Sequence, residues 1–223
     1  NNVRNGKPIG GLDPQLIVLK PEKCPMLGIS TFRENDIITF TWSVKYAGNK
    51  NDSQKPAITW SLSRIQQHVT EDETAEGVFK STINMAADSH DDQKELSCYF
   101  SVLNIQEFCS TRLDIQYQAQ KPTLFINGDK IIKNHEILQE GMAASFTAVS
   151  RGNPQPSYTW QFKATSDVNF SYGETGHTKQ IKWIGIGDAG VYRCCAKNSF
   201  NSHRKCSEIT ISVRGIDQVA QRY

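Results

Sequence analysis

Cys194, Cys195, His203 and Cys206 place zinc-ligand side chains within one short stretch, DAGVYRCCAKNSFNSHRKC. A zinc site needs ligands paired at close spacing, such as a Cys-x-x-Cys knuckle, and this stretch has none. Adjacent residues of a strand face opposite sides, so Cys194 and Cys195 cannot both turn to one ion. His68, His90, His135, His177 and His203 are scattered through polar stretches. They form no His-Glu-x-x-His pair, and no Gly-x-Ser-x-Gly elbow or Gly-rich phosphate cradle accompanies them. The acidic runs TEDETAEG (70–77) and DSHDD (88–92) lack the ligand register and central Gly of a calcium loop, and read as solvated turns. These residues predict no enzyme, no metal site and no cofactor.

The elements that position them are short and β-patterned. LIVL, IITFTWSV, AITWSL, VFKSTINM, ELSCYFSV and TRLDIQY form a first set, and TLFI, ASFTAV, YTWQF, QIKWIGI, VYRCCA and EITISV a second. Such runs, separated by turn-rich segments and without long amphipathic helical patterns, predict an all-β protein of antiparallel sandwiches. The 223 residues suit two domains. Lys121-Pro122 opens a new extended run after Tyr117, so the expected domains are 15–118 and 121–214, joined by a short linker. Charges of 25 basic and 23 acidic residues nearly cancel and are spread along the chain, which argues against nucleic acid. No apolar run is long enough to span a bilayer, and the first residues lack the apolar core of a signal peptide. The expectation is a mature secreted protein or a piece of a membrane-anchored one, extracellular in either case.

GDAGVYRC (187–194) resembles the Asp-x-Gly-x-Tyr-x-Cys signature of the immunoglobulin superfamily, and GNPQPSYTW, ending at Trp160, resembles the turn and C strand of its I-set or C2-like members. The resemblance implies two tandem immunoglobulin-like antiparallel β-sandwiches. It makes Trp160 the core tryptophan, Tyr192 the tyrosine corner and Asp188 the acid at the E–F turn. In the first half the match is looser: ITFTW, PAITW and DQKELSC stand at strands B, C and F, which makes Trp60 the core tryptophan and Cys98 the F-strand cysteine.

The family's B-strand cysteine is replaced by Trp42 in the first half and Ala148 in the second. Cys98 and Cys194 then lack their usual partners and are expected as buried thiols. Alternation from Tyr192 turns Cys194 inward and Cys195 outward, and a hairpin centred near Phe200 and Asn201 sets Cys195 opposite Cys206. A Cys195–Cys206 bridge across the F–G hairpin is expected. Its short loop restricts the unfolded chain by roughly 2.7 kcal/mol, against roughly 4 for the lost B–F bridge. In the first half two pairings are open. Cys98–Cys109 would repeat the eleven-residue spacing, whereas Cys24–Cys109 joins the first strand to strand G and explains all six cysteines with one rule, and is favoured.

Asn51 (NDS) and Asn169 (NFS) are glycosylation acceptors in a secretory pathway. The resemblance implies recognition through sheet faces and loops, with a protein ligand, a homophilic partner or a glycan as the bound species. Two functions are carried forward. One is an adhesion or recognition receptor fragment that binds a protein; the other is a secreted innate-immune protein that binds microbial or glycan ligands, with a further ligand-reading domain outside this chain. The expected contact is the second F–G loop, NSFNSHRK, with Phe200 as its aromatic anchor and His203 and Arg204 beside it.

Overall fold

The computed structural model describes residues 17–19, 24, 28–47, 56–63, 65–67, 69–73, 78–102 and 105–215. Their regular secondary structure is almost entirely strand. The chain divides into two compact units, Asn1–Ile115 and Gln116–Tyr223. The first contains β1 (Ile17–Leu19), β2 (Gly28–Arg33), β3 (Ile37–Ala47), β4 (Ala57–Leu62), β5 (Ile65–Gln66), β6 (Thr70–Glu73), β7 (Val78–Ala86), β8 (Glu95–Val102) and β9, which runs over Ile105–Gln116. The second contains β10 (Thr123–Ile126), β11 (Asp129–Lys130), β12 (His135–Gln139), β13 (Ala144–Val149), β14 (Ser157–Ala164), β15 (Glu174–Thr175), β16 (Thr178–Ile181), β17 (Gly190–Lys197) and β18 (Lys205–Arg214).

In the first unit a sheet of order β1-β3-β7-β6 faces one of order β2-β9-β8-β4-β5. In β3, Ile38, Trp42 and Val44 are buried while Thr39 and Thr41 lie outside, the alternation of a half-buried strand. Ile58, Trp60, Leu96, Cys98, Phe100, Leu113 and Ile115 from the opposite sheet complete one apolar core. In the second unit the orders are β11-β10-β13-β16 and β12-β18-β17-β14-β15, and Phe146, Ala148, Trp160, Tyr192, Cys194, Ile209 and Ile211 fill a separate core. All neighbours in that five-stranded sheet are antiparallel except β12 and β18. Gly190 opens β17 at φ +155°, where a Cβ would collide with the carbonyl oxygen of Lys163 on β14. Only glycine lets these strands approach so closely.

The structure departs from the sequence reading in several places. The units divide between Ile115 and Gln116, and Tyr117 belongs to the second because its backbone pairs with Asn153. Cys24 lies outside any strand. Thr70–Glu73, read as part of a solvated turn, is the edge strand β6, held to β7 by its backbone despite its acidic side chains. In 88–92 the carboxylates are used locally. Asp88 caps the 3-10 turn Ser89–Asp91, and its carboxyl accepts from the His90 N–H at 2.8 Å. Asp91 pairs with Lys94 at 2.8 Å, and Asp92 accepts from the Ile115 N–H at 3.0 Å.

Candidate recognition surface

Each functional position depends on strand alternation. On β17, Tyr192 and Cys194 face the core of the second unit, and Cys195 lies on the opposite face. Register sets Cys195 directly across from Cys206 on β18, and the two form a disulfide with a Cα separation of 4.0 Å. Cys194 is a free buried thiol whose pKa burial pushes up to about 12. Tyr192 donates its hydroxyl to the Asp188 carbonyl at 2.9 Å, while the Asp188 carboxylate accepts from the Gly185 N–H at 2.8 Å. Burial, with the nearby Asp188 charge, lifts the Tyr192 phenol above the usual tyrosine range. Its ring stacks on Phe146 with centroids 4.6 Å apart. Trp160 is buried in the same core.

Residues 129–198 match the family model described as "Immunoglobulin domain". The match falls within the second unit. The mouse nectin-like molecule 4 ectodomain is similar in structure, with a TM-score of 0.59 and 16% sequence identity; the match covers 92% of this chain. This chain spans 65% of that ectodomain's length. Weaker likenesses, at TM-scores of 0.48 and 0.49 and 15% identity each, are to DIP-gamma IG1+IG2 and to the titin Ig tandem A164-A165. They cover 91% and 92% of this chain and 99% and 100% of theirs. The likeness to the nectin-like ectodomain is one of fold, and both units have the immunoglobulin fold.

The F–G loop of the second unit, between β17 and β18, is built differently from a free recognition loop. Its buried residues are two asparagines that the sequence reading passed over. Asn198 donates to the carbonyls of Tyr117 and Pro154, both at 2.8 Å. Asn201 accepts from the Ala119 N–H at 2.8 Å and donates to the Ala119 carbonyl at 3.0 Å. Phe200 is half-buried and donates its N–H to Asn198 Oδ1 at 3.1 Å, while His203 and Arg204 are exposed. A sequence signal existed in the Asn-x-x-Asn spacing around the turn, since Asn side chains commonly bond nearby backbone. Asn169 is exposed in the loop before β15, and the next residue, Phe170, lies under the Arg193 guanidinium at 3.6 Å. Arg193 also bonds Gln161 and pairs with Glu208, so the part of this sheet's outer face around Arg193 is engaged by the unit's own cation–π stack and ion pair. Asn51 lies outside the described residues.

In the first unit Trp60 is buried and its Nε1 donates to Ser81 Oγ at 3.0 Å. Cys109 turns inward on β9 and forms a disulfide with Cys24 at a Cα separation of 6.0 Å. Cys98, directly opposite Cys109 in register, is a free buried thiol, its pKa pushed up to about 12 by burial. The alternation that turns Cys98 and Cys109 inward turns their neighbours Tyr99 and Phe108 outward. These face each other across β8 and β9, with Phe108 63% and Tyr99 39% exposed, and Thr59 on β4 continues the row. Alongside runs a row of Ser61, Ser97 and Ser110, in which Ser61 Oγ and Ser97 Oγ lie 2.7 Å apart. Ala57, Ser101 and Gln106 form a third. No charged side chain stands in these three rows, in a chain with 22% charged residues.

Among the described residues no three His, Cys, Asp or Glu side chains form a group that could hold a metal ion. No helix among them is long and apolar enough to cross a membrane.

Proposed function

We propose that this chain is a non-enzymatic recognition module that binds a protein partner outside the cell through the outer face of the first unit's five-stranded sheet. The uncharged rows around Tyr99 and Phe108 carry this reading. A solvated sheet face ordinarily carries polar and charged residues outward, and the alternation that puts position 108 outside does not require an aromatic ring there. Aromatic rings with few rotatable bonds set among serines offer contact area at low entropic cost, as in binding loops rich in Tyr and Ser. On the second unit's corresponding face, Phe170 is engaged by Arg193 of the same unit. Two disulfides suit an oxidising compartment, and the similar nectin-like structure is described as an ectodomain.

The test is Phe108→Asp, assayed as multivalent chain against an array of cell-surface ectodomains, with sedimentation velocity for self-association. Phe108 points away from the core, so thermal unfolding should change little while specific binding, or the self-associated species, is lost. A binding profile and sedimentation behaviour indistinguishable from the parent chain would overturn the reading.

A further inference from the structure

Three large apolar side chains lie in solvent at the end of the second unit where β18 runs out. Trp183 is 77%, Met142 60% and Ile186 57% exposed. The turn between β12 and β13 joins their segments. Its Gly141 N–H donates to the Ile184 carbonyl at 2.7 Å, and its Met142 carbonyl accepts from the Ile184 N–H at 2.8 Å. On the other side the Glu140 N–H donates to the Arg214 carbonyl at 3.0 Å, and a Cβ on the neighbouring Gly215 would stand 4.0 Å from Ile186 Cδ1. Ile184 anchors this segment in the core, while Trp183 and Ile186 on either side of it stay outside. Polar side chains suffice for an exposed bend, so three bulky apolar groups there leave a patch that water solvates poorly. Trp42, Trp60 and Trp160 are all buried, which makes Trp183 the one exposed tryptophan of four.

The charges around the patch specify what covers it. Lys182 and Arg214 are exposed, and Glu140 and Asp188 are half-buried. The Asp188 carboxylate is used by the Gly185 N–H, whereas Lys182, Arg214 and Glu140 have no ion pair among the described residues. A strongly basic or strongly acidic partner would meet its own sign on half of this rim. A second copy turned about a two-fold axis does not, because such an interface sets residue i against j and j against i, so that each Lys182 can meet the other copy's Glu140. An apolar centre inside a polar rim is also the anatomy of a protein interface.

We propose that this end of the second unit is a self-association surface, on which two copies of the chain pair about a two-fold axis. Trp183 of each copy packs against Met142 and Ile186 of the other, and Lys182 pairs with Glu140 across the rim. Tryptophan is prominent among residues that dominate binding energy, and a methionine thioether adapts to an aromatic ring. The surface belongs to a different unit from the Tyr99 and Phe108 rows, so either can fail without the other.

The experiment follows the full chain from nanomolar to submillimolar concentration by sedimentation velocity and by iodide quenching of tryptophan fluorescence. The expected result is a reversible dimer, with the quenchable part of the emission falling in step, since Trp183 is the exposed tryptophan. Trp183→Ala should weaken dimerisation at least about 30-fold, the size of a hot-spot truncation. Phe108→Asp should leave it unchanged. Lys182→Glu and Glu140→Lys should each weaken it about 10-fold, and an equimolar mixture of these two chains should dimerise like the parent, because unlike charges then meet between copies. Neither a folding defect nor diffuse charge attraction predicts that recovery. A chain that stays monomeric, a dimer that survives Trp183→Ala, or a mixture that does not recover would overturn the proposal. So would a Trp183 shielded from iodide at every concentration until residues 216–223 are removed, since the chain's own last residues would then cover the patch.

Discussion

The two core tryptophans occupy equivalent places and differ at one atom. Trp60 Nε1 donates to Ser81 Oγ at 3.0 Å, whereas Trp160 Nε1 is buried with no partner among the described residues. Removing an acceptor from a buried donor leaves the desolvation cost of that donor uncompensated, so Ser81→Ala should destabilise the first unit by about 1–3 kcal/mol. Urea unfolding followed by tryptophan fluorescence checks this; an unchanged midpoint would mean that the bond contributes nothing net. The thiols give a second residue-level prediction. Cys98 and Cys194 are free and buried, with pKa values pushed up to about 12, so a thiolate is scarce at neutral pH. Two thiols should stay unreactive towards a disulfide reagent in the folded chain and titrate fully in denaturant. The signature around Tyr192 made the second core readable from the sequence. Ser81 was not readable as a partner, because its relation to Trp60 exists only once two sheets face each other.

At the scale of elements, alternation along single strands was legible, and pairing between strands was legible from local pattern where a hairpin joins them. Cys195 and Cys206 meet across one turn, so counting along the hairpin places them together. Cys24 lies outside any strand and reaches Cys109 across a separation of 85 residues, so this pairing, although favoured from the sequence, was reached through the resemblance and the cysteine count and not through local pattern. β6 shows the same limit: its acidic residues suggest a solvated turn, yet its backbone bonds to β7 make it a strand. The Asn198 and Asn201 contacts were missed because their acceptors and donors lie near Tyr117, Ala119 and Pro154. The two bridges also differ in leverage. On loop entropy, Cys24–Cys109 restricts the unfolded chain by about 4.6 kcal/mol and Cys195–Cys206 by about 2.7. Paired alanine replacement at Cys24 and Cys109 should therefore lower the first unit's urea midpoint more than replacement at Cys195 and Cys206 lowers the second's. The reverse order would show that hairpin geometry, not chain entropy, sets the contribution.

The whole molecule behaves as two cores that share a chain, each built from its own residues. Both contain a free buried thiol, and this gives them a common response to alkali. A thiol ordinarily titrates near 9.0, and in the folded units near 12. The unfolded chain therefore releases these protons first as pH rises, and linkage favours unfolding across that interval. The stability attached to each neutral thiol is complete below about pH 9 and is lost progressively as pH rises towards 12. Tyr192 has the same sign, since its phenol is held above its ordinary value of 10.0, and it acts on the second unit alone. Melting followed from pH 7 to 11 should show both units losing stability above pH 9, the second more steeply above pH 10. Cys98→Ala with Cys194→Ala should flatten the common loss, and adding Tyr192→Phe should remove the excess in the second unit at the cost of its bond to Asp188. If the cysteine-free chain loses stability over the same interval as the parent, ionisation elsewhere drives the alkaline transition and the buried thiols serve only as apolar filling.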